Sequence, residues 1–154
     1  MILAEVNELT DEYIEEKEKM PSLNQSFICA EIIEQLAGNK KFKALPELTL
    51  KIGKGITPDV SVYFREQIKP DFLRDFIMFP EMPILAIEVI SASQNIQRLL
   101  EKGERLVKNG VKTVWTVEPF TNTIFITNDQ GTTKSFAQII ESEGIIVDFQ
   151  KIFG

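Results

Sequence analysis

Asp59 and Glu88 are the residues of this chain best suited to chemistry, because each interrupts an otherwise apolar strand pattern. Asp59 lies in TPDVSVYF, directly after Pro58, and Glu88 lies in PILAIEVIS. An ionised carboxylate inside a buried strand is costly unless a cation or hydrogen-bond donors meet it. Two of them on two strands suggest a site for a hard cation, Mg²⁺ or Mn²⁺, which takes oxygen ligands. Alternation along 58–64 puts Asp59, Ser61 and Tyr63 on one face, and along 84–90 Glu88 shares a face with Ile84, Ala86 and Ile90. If the two strands are neighbours, both carboxylates can share one cation. Phosphodiester hydrolysis is the first chemistry such a pair suggests, since a metal polarises the phosphate and activates a water.

That reaction also needs a cation to offset developing negative charge, and Lys102 is the best-placed lysine. The segment 94–109 carries an apolar stripe of Ile96, Leu99, Leu100, Gly103, Leu106 and Val107 at helical spacing. Lys102 falls on the flank of that stripe, from which its stem can follow apolar surface while the ammonium reaches the sheet edge. Snorkelling to solvent is the plainer alternative for a lone lysine.

Composition narrows the chemistry further. The chain has 154 residues, enough for one domain with a real core, and its apolar and charged fractions are those of a soluble protein. It contains no histidine, which removes Ser-His-Asp catalysis and His-containing zinc sites. Cys29 is the only cysteine, so no intrachain disulfide forms and a reducing, cytoplasmic setting is expected. No apolar run approaches the roughly 20 residues of a membrane span, and the start lacks the features of a signal peptide. The net charge of −6 argues against strong nonspecific binding of nucleic acid. Against that background Lys40, Lys41, Lys43 and Lys54 make a local basic stretch that could touch phosphates, although a solvated loop is the simpler account.

The elements that must position these residues can be read in order. Residues 1–22 form an acidic extension with a polar helix over 10–19, followed by a nearly apolar helix over 24–37 closed by Gly38-Asn39. ELTLKI (47–52) alternates as a strand and forms a hairpin with PDVSVYF (58–64) around Gly53-Lys54-Gly55. Residues 65–82, with Pro70 and Pro80, form a long connection with a short helix around 71–78. PILAIEVI (83–90) reads as a central strand covered on both faces. A helix capped by Ser93 and ended by Asn109-Gly110 follows, then a strand TVWTVEP (113–119), which predicts a parallel crossover. NTIFITN (122–128) is its hairpin partner, with short strands near 133–137 and 145–147. The expected fold class is α/β (α+β), a mixed sheet flanked by helices, in one domain spanning 1–154.

Taken in order, PD (58–59), IEVIS (87–91) and EKGERLVKNGVKTVWTVEP (101–119) resemble the putative restriction endonuclease family within the PD-(D/E)xK nuclease superfamily. The resemblance covers roughly residues 50–150 and implies a restriction-endonuclease-like fold. It also implies a Mg²⁺- or Mn²⁺-dependent endonuclease acting on DNA, and assembly as a homodimer or higher homo-oligomer. In that family's pattern the Asp of PD and the Glu of EV-S hold the metal, here Asp59 and Glu88 with the Val89 carbonyl. The lysine usual two residues after the Glu is replaced by an apolar residue, here Ile90, and a lysine of the next helix substitutes, here Lys102. Glu31 is a candidate for the helix carboxylate that many such nucleases add, Tyr63 for a contact from Asp59's face, and Gln97 for orienting water or phosphate. The chain departs from the pattern at Ala92, Arg98 and Leu106, where the family often has Pro, an acid and Tyr, and Gln25 is nearest to a usual histidine. Those departures leave open a second reading, a catalytically inactive nuclease-fold module for binding or assembly.

Overall fold

The computed structural model describes residues 20–136 and 138–154; the expected polar helix over 10–19 lies outside them. A six-stranded mixed sheet in chain order is made of β1 (Phe42–Pro46), β2 (Val60–Phe64), β3 (Leu85–Val89), β4 (Thr113–Glu118), β5 (Thr123–Asn128) and β6 (Gly131–Ser135). All neighbours pair antiparallel except β3 and β4, which are parallel and joined by a helical crossover. Helices α1 (Leu23–Leu36), α2 (Ile96–Lys108) and α3 (Phe149–Phe153) flank it, and β7 (Ile139–Ser142) and β8 (Ile145–Asp148) form a separate hairpin. This is the expected mixed sheet with helices on both faces.

One face packs under α1, α3 and the β7–β8 hairpin, in a core that includes Ile28, Ile32, Val62, Ile87, Trp115 and Phe149. The other face meets α2 and the segment around Leu50–Ile56, where Tyr63, Ala86, Leu106 and Val114 pack together. Consecutive residues of β2 and β3 therefore serve different cores, as the pleat requires. All five residues of β3 are buried, which accounts for its near-continuous apolar run.

Three sequence expectations are corrected. The strand before Asp59 is Phe42–Pro46 rather than 47–52; the latter segment makes only an isolated bridge between Leu50 and Ile56. Pairing of Pro46 with Val60 uses up the partner edge of β2, so 47–52 turns away. The connection after β2 holds a 3-10 turn at Arg65–Gln67 and bends, with no α-helix over 71–78. Its Asp71 and Asp75 side chains accept from the Leu73 and Phe76 amides and so favour local turns over helix. Asn95, not Ser93, caps α2, its Oδ1 accepting from the amides of Gln97 (2.9 Å) and Arg98 (3.4 Å). The same helix closes as expected at Gly110, whose φ of 109° is open to glycine, with Val111 N–H donating to Leu106 O.

Candidate active site

The register of β2 against β3 aligns Val60 with Ile87, so one further step brings Asp59 opposite Glu88. Both then sit at the carboxyl end of β3, where the chain leaves toward α2. Asp59 is fixed through both oxygens. Its Oδ1 accepts from Gln25 Nε2 at 3.1 Å, and its Oδ2 accepts from the Val89 amide at 2.8 Å. An ionised carboxylate offers about four lone-pair sites, so two remain for a further ligand.

Glu88 is 1% exposed, and its Oε1 stands 2.9 Å from Lys102 Nζ. Lys102 also donates to Thr57 O at 3.2 Å, which holds the ammonium between the two strands. The helix can deliver this lysine because Leu99, Gly103 and Leu106 form its buried stripe and Lys102 lies beside them. A Cβ added at Gly103 would lie 3.4 Å from Val114 Cγ1, so a small residue here lets α2 lie close on β4.

A cavity of about 210 Å³ opens over these groups, lined by Gln25, Glu47, Thr57, Asp59, Glu88, Gln94 and Lys102, with Pro21 at its rim. Asp59, Glu88 and Lys102 are therefore brought together. Three further groups join them: Glu47 and Gln94, which the sequence did not mark, and Gln25, which it marked only as nearest to the family's usual histidine. Gln25 arrives because the first turn of α1 reaches this end of the sheet; it is a buried polar residue in line with Ile28, Ile32 and Leu36. That break in an apolar stripe was a usable signal. Glu47 follows β1 with φ of 48°, and its amide donates to Asp59 O at 3.1 Å. Gln94 is held by the Ser91 amide, which donates to its Oε1 at 2.8 Å. Both depend on turn geometry that no local pattern announces.

The other candidates lie elsewhere. Glu31 is half-buried on α1 and does not line the cavity, and Gln97 is exposed, with Nε2 3.5 Å from Glu101 Oε1. Tyr63 is fully buried in the α2-side core and donates to Glu81 O at 2.8 Å. Burial, and then the nearby Glu81 charge, push its phenol upward. Lys40, Lys41, Lys43 and Lys54 are all exposed and outside the cavity. Lys41 sits at the opposite end of the β1–β2 pair, beside the rings of Phe42 and Phe64.

The electrostatics of the pocket register on Cys29, one turn after Gln25. Its thiol is pushed up to about 12, first by burial and then by the charges of Asp59, Glu88 and Glu47. Three carboxylates thus bear on one small volume. Among the described residues no three His, Cys, Asp or Glu side chains stand as a preassembled metal cage. A Mg²⁺ site needs less, since this ion keeps several waters and uses one or two carboxylates. Gln25 Oε1 is buried without a hydrogen-bond partner, a further oxygen in the donor set. The chemistry of the set fits a hard, partly hydrated divalent cation.

A mixed sheet whose antiparallel β2–β3 pair brings two carboxylates together at the carboxyl end of β3, with a lysine from the crossover helix, defines a restriction-endonuclease-like architecture. The chain belongs to the Uma2 family, described as putative restriction endonuclease, whose model matches residues 5–148. Its fold is similar to that of a putative nuclease belonging to DUF820 from Anabaena variabilis ATCC 29413. The TM-score is 0.74 at 20% identity, over 88% of this chain and 83% of that one. No curated protein matches the chain.

Proposed function

We propose that this protein is a metal-dependent endonuclease that hydrolyses phosphodiester bonds of DNA. The observation that carries the reading is the convergence of Asp59, Glu88 and Lys102 on one small cavity at the end of β3. Family membership supports it independently. Asp59, Glu88 and the Val89 carbonyl are the residues that would hold Mg²⁺ or Mn²⁺, with Gln25 Oε1 within the same pocket. When bound, that ion supplies polarisation of the scissile phosphate and a lowered pKa for its water. The chain's own residues orient and balance charge. Gln25 and the Val89 amide fix the plane of the Asp59 carboxylate. Lys102, anchored by Thr57 O, stands ready to offset negative charge on the phosphate. The cytoplasm is the proposed compartment, and a homo-oligomer the proposed assembly; among the described residues no helix is long and apolar enough to cross a membrane.

The second reading, an inactive binding or assembly module, draws on the direct Glu88–Lys102 ion pair, which satisfies the buried carboxylate without any metal ion. One experiment separates the two. Calorimetric titration with Mg²⁺ and Mn²⁺ and a plasmid-cleavage assay are run on the native chain and on Asp59→Ala. The nuclease reading expects millimolar or tighter metal binding and cleavage, both lost in the variant. Absence of binding at millimolar metal, or cleavage unchanged in Asp59→Ala, overturns it.

A further inference from the structure

The connection between β2 and β3 presents an apolar surface for which the proposed chemistry has no use. Phe72 is 95% exposed, Leu73 94% and Ile77 94%, and Phe76 is 60% exposed. These side chains sit on a built support. Phe76 meets Phe79 edge-on at 5.5 Å, and Phe79 meets the buried Tyr63 in the same manner at 5.7 Å. The Phe79 backbone is bonded on both sides, its amide to Thr49 O and its carbonyl to the Lys51 amide. Phe72 and Phe76 themselves help to wall a cavity of about 560 Å³, together with Leu45, Leu48, Ile68 and Phe79 among others.

We propose that this segment, 70–79, docks a second copy of the chain in an isologous dimer. Three observations choose that occupant. Phe72 and Phe76 alone expose roughly 300 Å², counting a full aromatic side chain at about 150–250 Å², and the almost fully exposed Leu73 and Ile77 enlarge that area. The patch thus reaches the roughly 300–600 Å² at which exposed apolar surface on a protomer marks an interaction site. Leu73 and Ile77 project outside the cavity that Phe72 and Phe76 help to wall, so a twofold axis beside them lets each copy's Leu73 and Ile77 enter the other's cavity. Finally, the patch sets Lys69 and Arg74 among Asp71, Asp75 and Glu81, a net charge of only −1 with both signs interspersed on a chain of net charge −6. Two copies repel weakly here, and opposite charges can pair across the axis. A DNA partner would favour a patch with excess positive charge, which this one lacks.

The proposal gives a location to the assembly named above and does not depend on the metal reading. Sedimentation velocity of the full chain at micromolar concentration tests it, alongside Phe72→Ser/Leu73→Ser. Both side chains are almost fully exposed in the protomer, so the variant should fold, which circular dichroism checks. The expected result is a native particle of twice the 17.5 kDa protomer mass. In the variant, dissociation should be at least about 100-fold easier, the loss expected for aromatic anchors at an interface centre. A monomeric native chain overturns the proposal, as does a dimer that the variant leaves unchanged. Loss of DNA binding in the variant with its oligomeric state unaltered assigns the patch to nucleic acid and likewise overturns it. Mg²⁺ titration of the variant should match the native chain, so failure here is distinguishable from failure of the nuclease reading.

Discussion

Glu88 and Lys102 form a pair that must be considered as two charges taken out of water. With exposures of 1% and 13%, each relies on the other. Such a pair adds little net stability, whereas removing one member leaves the other uncompensated at about 3–5 kcal/mol. Lys102→Met is therefore expected to lower urea-unfolding stability by about that amount at neutral pH without divalent cations. The double variant Glu88→Gln/Lys102→Met should regain most of the loss. A change below about 1 kcal/mol in the single variant would place the two groups in effective contact with water. At this scale the sequence was informative. Asp59 and Glu88 stood out because a carboxylate has no business in a buried strand without a partner, and Lys102 because a helical wheel put it beside the buried stripe. Gln25 carried the same kind of signal on α1, as a polar residue in line with Ile28 and Ile32. Its meaning became visible only with Asp59 opposite it.

Among the elements, α2 sets the geometry of the site, and Gly103 sets the height of α2. Gly103→Ala places a methyl at ordinary contact distance from Val114 and adds helix propensity, so it is expected to be neutral or stabilising by up to about 1 kcal/mol. Gly103→Leu must push the helix off β4, at a cost of about 1–3 kcal/mol, and carry Lys102 away from Glu88. Urea unfolding of both variants checks this, and a Gly103→Leu chain as stable as the native one would show that close packing here is unimportant. The crossover β3–α2–β4 was legible because its periodicity changes from strand to helix and back within one stretch. The hairpin before Asp59 was not. ELTLKI alternates as well as any strand, but tertiary pairing gave the partner edge of β2 to Phe42–Pro46, whose alternation is interrupted by Pro46. Misplacing that strand also hid Glu47, whose position follows from the turn after Pro46 and not from its own neighbours.

Across the whole molecule, charge and distance separate the site from Lys40 and Lys41 of the basic stretch. Arg65 N–H donates to Lys41 O, so Lys41 lies six residues along β2 from Asp59, roughly 20 Å at about 3.3 Å per residue. This exceeds the screening length of about 8 Å at physiological salt. Lys40→Glu/Lys41→Glu is therefore expected to leave Mg²⁺ affinity within about twofold of native by calorimetry. A larger change would mean that the field at the site is collected from the whole surface. The overall architecture, a mixed sheet with helices on both faces, followed from the pattern of apolar segments. The β7–β8 hairpin was only half visible, because Ile139 and Glu141 of β7 point outward and leave a weak alternation.

The hydrogen bond from the Val89 amide to Asp59 Oδ2, 2.8 Å long, has a spectroscopic consequence. A backbone proton aimed at a carboxylate feels that carboxylate's charge directly. The Val89 amide resonance is thus a native reporter of Asp59, sensitive to a proton or a divalent ion arriving at the other lone pairs. It needs neither DNA nor turnover. Its neighbours in the β2–β3 ladder supply the unmoved reference against which such a shift can be read.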